Sequence, residues 1–281
     1  LLKLDTNTFD HVIFLHVHKT AGTTLNTVLT YQYGWNSSVQ IDQSKRQEER
    51  QKLEEMPQKQ LQQIKLLRGH IPFGWHNLLP GNSVYITCLR DPVDRLISQY
   101  YKSKQTPDSV GGRLVAKYDT LLEFVESKTS TRTNNDFVRQ FSGMNPPYGE
   151  CTNDMLALAK KNLEKHFVAV GLTEQFDKSL IIIARALRWR KPLFYVRNNV
   201  TKHRPVAIEL DPATADAIAR DNMLDIELYT YIRKRFDSFW EENASDLVPE
   251  LAKLRRRNIV AQKVLPGPLK IYRSVRSMLH K

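Results

Sequence analysis

"LHVHKTAGTT", residues 15–24, overlaps an apolar, β-branched run, "DHVIFLHVH" (10–18), and leads into "TTLNTVLTYQY" (23–33), whose apolar positions fall at helical spacing. The run reads as a buried strand and the segment after it as a helix. The quoted stretch is therefore the turn of a strand–loop–helix unit. In such a unit the loop amides and the helix N-terminus point the same way and favour an anion. Gly22 permits close backbone approach. Thr20, Thr23 and Thr24 add hydroxyl donors, and Lys19 adds a full positive charge. The order of residues does not match the nucleoside-triphosphate loop G-x-x-x-x-G-K-[ST], because Lys19 precedes Gly22. Taken alone, the stretch also fits an ordinary turn with a solvated lysine.

Further strands follow at "IKLLRGH" (64–70), "NSVYITCLR" (82–90) and "HFVAVGL" (166–172). The third of these four strands runs into "DPVDRLISQYYKSK" (91–104), where Asp91 suits an N-cap and Pro92 the first helical position. Thr173 opens the helix of "EQFDKSLIIIARAL" (174–187), and "DPATADAIARDNMLDIELYTYIRKRFDSFW" (211–240) reads as one long amphipathic helix. "SKRQEERQKLEEMPQKQLQQ" (44–63) reads as exposed and partly helical, and "SKQTPDSVGGR" (103–113) and "SGMNPPYGE" (142–150) as loops. Alternating strands and helices predict an α/β fold. The expected architecture is a P-loop-like three-layer sandwich, with a central, mainly parallel sheet flanked by helices.

The chain has 281 residues, 41% of them hydrophobic, enough for one large core. Its net charge of +12 is uneven: residues 252–281 carry nine Lys or Arg and no acid. The rest is nearly balanced, which argues against a nucleic-acid-binding module. We divide the chain into a domain of residues 1–251 and a basic, helical C-terminal tail of residues 252–281. The tail could attract a polyanionic glycan, touch an anionic membrane surface, or pack on the domain. Two cysteines, Cys88 and Cys151, make no disulfide framework. No apolar run reaches the ~18 residues of a membrane span. A cytoplasmic location is expected, with a Golgi-lumen catalytic domain cut from its anchor as the alternative.

Arg90 stands at the end of a strand and Ser98 eight residues on, a little over two turns at ~3.6 residues each. A guanidinium fork and a hydroxyl suit a second phosphate, although Arg90 could instead pair with Asp91 or Asp94. Two such clusters, each at a strand end followed by a helix, suggest a nucleotide with separate phosphate groups at the two ends of a ribose.

"FLHVHKTAGTTL" (14–25) resembles the 5′-phosphosulfate-binding loop of the PAPS-dependent sulfotransferases, and "LRDPVDRLISQYY" (89–101) their 3′-phosphate-binding segment. The style is that of the carbohydrate branch, the heparan sulfate 2-O- and 6-O-sulfotransferases and related bacterial enzymes. Softer matches are "GHIPFG", "NNDFVRQFSG", "VGLTEQFDKSL", "NNVTKHRP" and "NMLDIELY". The resemblance implies an enzyme moving the sulfuryl group of PAPS (3′-phosphoadenosine 5′-phosphosulfate) to a hydroxyl, most simply of a saccharide, without a metal. It implies that Lys19, Thr20, Ala21, Gly22, Thr23 and Thr24 hold the 5′-phosphosulfate, and that Arg90 and Ser98 hold the 3′-phosphate. Lys19 would also stabilise the departing phosphate.

An alcohol acceptor calls for a general base. "GHIPFG" resembles the segment of the 2-O-sulfotransferases whose histidine is the base, which points to His70. The second histidine of that segment is replaced here by Arg68. His76 is the other candidate, and His16 reads as structural. His18 stands where many relatives carry proline or another neutral residue, so it is given no catalytic part. Asn135, Arg139 and the basic Lys202–His203–Arg204 could serve ligand or structure, as could Trp75 and Tyr148 as a sugar wall. The competing functions are a P-loop-type nucleotide kinase, which predicts Mg²⁺ dependence, and a non-catalytic glycan-binding protein on the same scaffold.

Overall fold

The computed structural model describes residues 8–196 and 210–264. The chain runs β1 (His11–Leu15), α1 (Gly22–Tyr33), β2 (Ser38–Ile41), α2 (Arg46–Glu54), α3 (Gln58–Leu61), β3 (Leu66–Gly69) and β4 (Ser83–Leu89). It continues through α4 (Pro92–Lys104), α5 (Val110–Val115), α6 (Leu121–Glu126), α7 (Asp136–Ser142), α8 (Asn153–His166) and β5 (Phe167–Leu172). The helices α9 (Phe176–Ala186), α10 (Pro212–Asp221), α11 (Met223–Glu242) and α12 (Ala244–Val264) complete the described chain. The five strands form one sheet in the order β2-β3-β1-β4-β5, every pair parallel. This is the α/β sandwich that the strand–helix alternation predicts.

The central strands are buried on both faces, as a parallel sheet covered by helices requires. All five residues of β1 are buried, and Ile13, Phe14 and Leu15 have no exposed surface. A smaller apolar cluster of Leu96, Ile97, Tyr100, Phe124, Val125 and Ile218 lies where α4, α6 and α10 meet.

β2 is absent from the sequence-based strands. It is a four-residue edge strand with three of its residues partly or fully exposed, too short to display an alternation. The long helix expected over 211–240 is broken in two at Asn222. That side chain is fully buried and donates to the carbonyls of Thr133 and Ile218, at 2.9 Å each, while accepting the amide of Asn135 at 3.1 Å. The segment 103–113 is not all loop. α4 runs to Lys104, and Ser109 caps α5 by accepting the Gly112 amide at 2.9 Å.

The boundary expected at 251/252 falls inside α12, which packs on α9 and buries Leu247, Leu251, Leu254 and Ala261. Residues 265–281 lie outside the described residues. Among the described residues no helix is long and apolar enough to cross a membrane.

Register aligns the strand ends. Leu15 pairs with Gly69, Ile41 with Gly69, and Leu89 with Leu172. From β1 the chain crosses toward β3 and β2, and from β4 it crosses the other way to β5. The carboxyl ends of β1 and β4 therefore flank the topological switch point, where open α/β sheets bind ligands.

Candidate functional site

The loop after β1 reverses the chain through two non-glycine residues with left-handed backbone, Lys19 (φ 66°) and Ala21 (φ 59°). Such strain, of order 1–3 kcal/mol each, persists only where the surroundings enforce it. Here Thr20 is fully buried and its hydroxyl donates to the Val17 carbonyl at 2.9 Å, pinning the turn. Thr20 thus contributes its hydroxyl to the loop's shape. Helix α1 starts at Gly22 with no side-chain cap, and its Thr24 and Leu25 amides bond to the Ala21 carbonyl. The amides of Gly22 and Thr23 head the helix, with Thr23 exposed and Thr24 buried. Gly22 is required by contact: a Cβ there would lie 1.7 Å from His16 Nε2.

On the neighbouring strand, Asp91 caps α4 through the amides of Val93 and Asp94, at 3.0 and 3.1 Å. Its own amide donates to Glu174 at 2.8 Å, and Thr173 donates to the Leu89 carbonyl at 2.8 Å. These bonds fix the end of β4, where Arg90 stands. The Arg90 side chain is 12% exposed and lies 3.6 Å from Asp94, one of the two partners weighed from the sequence. Ser98, on α4, is buried. The structure thus sets the Lys19 loop and the Arg90–Ser98 segment on adjacent strands at one sheet edge.

Between β1 and β3 the register produces a feature that spacing alone does not show. The His16 amide donates to the Gly69 carbonyl at 3.0 Å, which sets His70 beside the loop. Three imidazoles stack there. The His18 and His70 ring centres are 3.6 Å apart, those of His16 and His70 4.1 Å, and Phe14 lies 5.1 Å beyond His16. His70 Nδ1 donates to the His16 carbonyl at 2.6 Å, which fixes its tautomer and leaves Nε2 as the basic atom. His18 Nε2 donates to Gln43 Oε1 at 3.1 Å.

Burial holds all three imidazoles below their ordinary range. For His70 it outweighs the supporting carbonyl of His16, and the nearby Arg132 guanidinium lowers it further. For His18 burial comes first, then His70 and Arg132. For His16 burial is followed by His70 and Arg68. The folded site therefore takes up protons less readily than the unfolded chain, whose histidines titrate near ~6.5. Stability rises with pH wherever the unfolded state binds more protons. The melting temperature is thus expected to fall as pH drops below about 6.5 and to be insensitive to these groups above it. A melting curve series from about pH 8 to about pH 5 checks this, and an unchanged melting temperature contradicts a neutral stack.

Other candidates are placed elsewhere. His76 is tied by Nδ1 to the Tyr85 hydroxyl at 3.0 Å and lies 4.7 Å, ring to ring, from His166. Tyr85 lies near the start of β4, roughly 13 Å along the strand from its carboxyl end at ~3.3 Å per residue. Arg68 is buried against α1, donating to the Asn26 carbonyl at 3.0 Å and the Thr30 hydroxyl at 2.6 Å. Asn135 accepts the amides of Leu224 and Asp225, at 3.0 and 3.1 Å, while Arg139 is held by Asn134 and Pro147. Both are buried and knit α7 to its surroundings. Trp75 is core, at 2% exposure, and Tyr148 donates to Asp221 at 2.6 Å. Lys202, His203 and Arg204 lie outside the described residues.

The sequence reading missed Arg132 and Gln43. Arg132 belongs to a polar stretch with no periodicity. Its charge lowers His18 and His70, and its carbonyl accepts from fully buried Arg95 at 2.9 Å, itself 3.3 Å from Asp136. Among the described residues there is no group of three or more His, Cys, Asp or Glu arranged to hold a metal.

Comparison with known proteins gives the class of such a switch-point site first: this is a sulfotransferase, an enzyme. More particularly, the chain belongs to the galactose-3-O-sulfotransferase family, whose model matches residues 4–265. Within the carbohydrate branch this differs from the heparan sulfate enzymes whose motifs the sequence resembles. The chain is 24% identical to human galactose-3-O-sulfotransferase 2, over 95% of this chain and 71% of the relative. It is 24% identical to human galactosylceramide sulfotransferase over 88% and 62%, and to bovine galactose-3-O-sulfotransferase 3 over 83% and 58%. The chain thus spans roughly three-fifths to seven-tenths of these relatives.

Proposed function

We propose that the chain transfers the sulfuryl group of PAPS to a hydroxyl of a saccharide, with galactose the sugar that its relatives' names point to. The observation that carries this reading is the pair of cationic segments, Lys19 after β1 and Arg90 after β4, flanking one switch point. The residues fit the donor. The uncapped start of α1 and the left-handed loop offer amides, Lys19 a cation and Thr23 a hydroxyl for the 5′-phosphosulfate. Arg90 and Ser98 serve the 3′-phosphate. When bound, PAPS supplies an activated sulfuryl group with a phosphate as leaving group.

The chain's own residues do the rest. His70, neutral and with Nδ1 committed to the His16 carbonyl, takes the acceptor's hydroxyl proton on Nε2. Lys19 neutralises the charge that builds on the leaving side, in a preorganised site where such charge stabilisation is strongest. The Lys19 loop holds its shape through Thr20 and the Gly22–His16 contact, so no reorganisation is needed at the moment of transfer. A second reading assigns the base to His18. It is favoured by the 3.6 Å stack, which sets the two imidazoles side by side, and by the bond to Gln43, which leaves His18 Nδ1 as its basic atom.

Sulfate transfer from labelled PAPS to galactose-terminated oligosaccharides, in the presence of a chelator, tests the reading. Labelled, sulfated product is expected. Phosphate transfer from ATP that requires Mg²⁺, with no product from PAPS, would instead install the kinase reading.

A further inference from the structure

A second charged concavity lies away from the strand ends. Helices α1 and α9 both begin at the carboxyl edge of the sheet, so both end at the opposite edge, about 16 Å along α9 at 1.5 Å per residue. There the chain leaves α9 and crosses toward the end of α1. Trp189 donates to the Tyr33 hydroxyl at 3.3 Å, and Lys191 to the carbonyls of Tyr31 and Gln32 at 2.8 and 3.0 Å. This crossing segment, α9 and α12 wall a groove of about 450 Å³.

Among the described residues, six cationic side chains line it: Arg185, Arg188, Arg190, Lys191, Lys253 and Arg257. Among them one lining residue, Glu250, is acidic, and it is bound by Arg185 at 2.9 Å. Asp246 lies near the same Arg185, at 3.6 Å. Lys191 reaches only neutral carbonyls through these bonds, so they do not cancel its charge. The lining therefore keeps a strong positive excess in a concave space, where low-dielectric walls raise the local potential. Arg188 is held in left-handed backbone (φ 51°), a conformation a bulky side chain rarely adopts. It is the residue that closes α9, with the Trp189 amide donating to the Ala184 carbonyl at 2.9 Å, so the turn that carries these cations is a fixed helix cap. The walls are anchored by Trp189 and by buried Leu254, so the cations are set on fixed elements.

We infer that this groove is a second anion site, distinct from the donor cradle, for a small ligand carrying two or more clustered phosphate or sulfate groups. Guanidinium forks match such groups bidentately, and several cations around one cavity favour multivalent over single charges. The ligand is a soluble polyphosphorylated or polysulfated molecule or the same chemistry displayed as a lipid headgroup.

The test uses the full chain carrying Lys19→Ala and Arg90→Ala together, which removes the cations of both halves of the donor cradle, titrated with inorganic tripolyphosphate by calorimetry. One saturable site is expected. Adding Arg190→Glu and Lys253→Glu is expected to weaken it at least about tenfold, with the thermal melt unchanged. A parallel arm uses phosphatidylcholine vesicles with or without about 5% phosphatidylinositol bisphosphate. Groove-dependent binding to the charged vesicles assigns the lipid source, and binding of tripolyphosphate alone assigns the soluble one. Absence of saturable binding in both arms, or binding that survives the two charge reversals, overturns the inference. Neither result touches the donor site, which is read separately on the wild-type chain with adenosine 3′,5′-bisphosphate.

Discussion

His70→Ala is expected to lower kcat by about 10²- to 10⁴-fold, the range a positioned general base contributes, with donor affinity unchanged. The loss is expected in kcat, because the proposed base acts on the acceptor proton and not on the nucleotide. The wild-type pH–rate profile should keep its acid limb below the ordinary histidine range, since burial and Arg132 hold His70 down. His18→Phe separates the two base readings. It keeps an aromatic ring against His70, whose centre lies 3.6 Å away, while removing the nitrogens. A small loss in His18→Phe beside a large one in His70→Ala is the expected pattern. The reverse pattern would move the base to His18.

Lys19→Ala is the second large effect. Removing one preorganised donor to developing charge costs about 10²–10³ in kcat, and the full charge of Lys19 sets the expectation at the upper end. Steady-state kinetics and donor titration together check it. A change confined to KM would mean that Lys19 binds the ground state and leaves the transition state to other groups. Lys19→Arg is expected to rescue activity only in part, because a planar guanidinium fork does not present its donors as a compact ammonium does.

What the sequence disclosed, and what it withheld, follows from locality. Strands β1, β4 and β5 announce themselves as runs rich in β-branched and aromatic residues, and β3 as the short apolar stretch "IKLL" (64–67). β2, "SVQI", is a half-exposed edge strand of four residues and carries no such signal. Lys19 and Arg90 were legible because strand end, loop and helix start are consecutive in the chain, and Asp91–Pro92 marks one of those starts. The imidazole stack was not legible. It depends on Leu15 pairing with Gly69, a register that sets residue 70 beside residues 16 and 18 across more than fifty positions of chain. Arg132 likewise shows no pattern of its own, and its carbonyl accepts from buried Arg95. Asn222 looked like one polar residue within an amphipathic helix. Its buried bonds to Thr133 and Ile218 end that helix instead.

On the proposed function, the β1 and β4 ends hold a nucleotide phosphorylated at both 5′ and 3′ positions. Calorimetric titration of adenosine 3′,5′-bisphosphate, AMP and ATP without metal, on wild type and Arg90→Ala, tests it most directly. Tight, Mg²⁺-independent preference for the bisphosphate is expected in the wild type, reduced in Arg90→Ala to the weak level of AMP. Equal binding of all three nucleotides, or ATP binding that appears only with Mg²⁺, would contradict it.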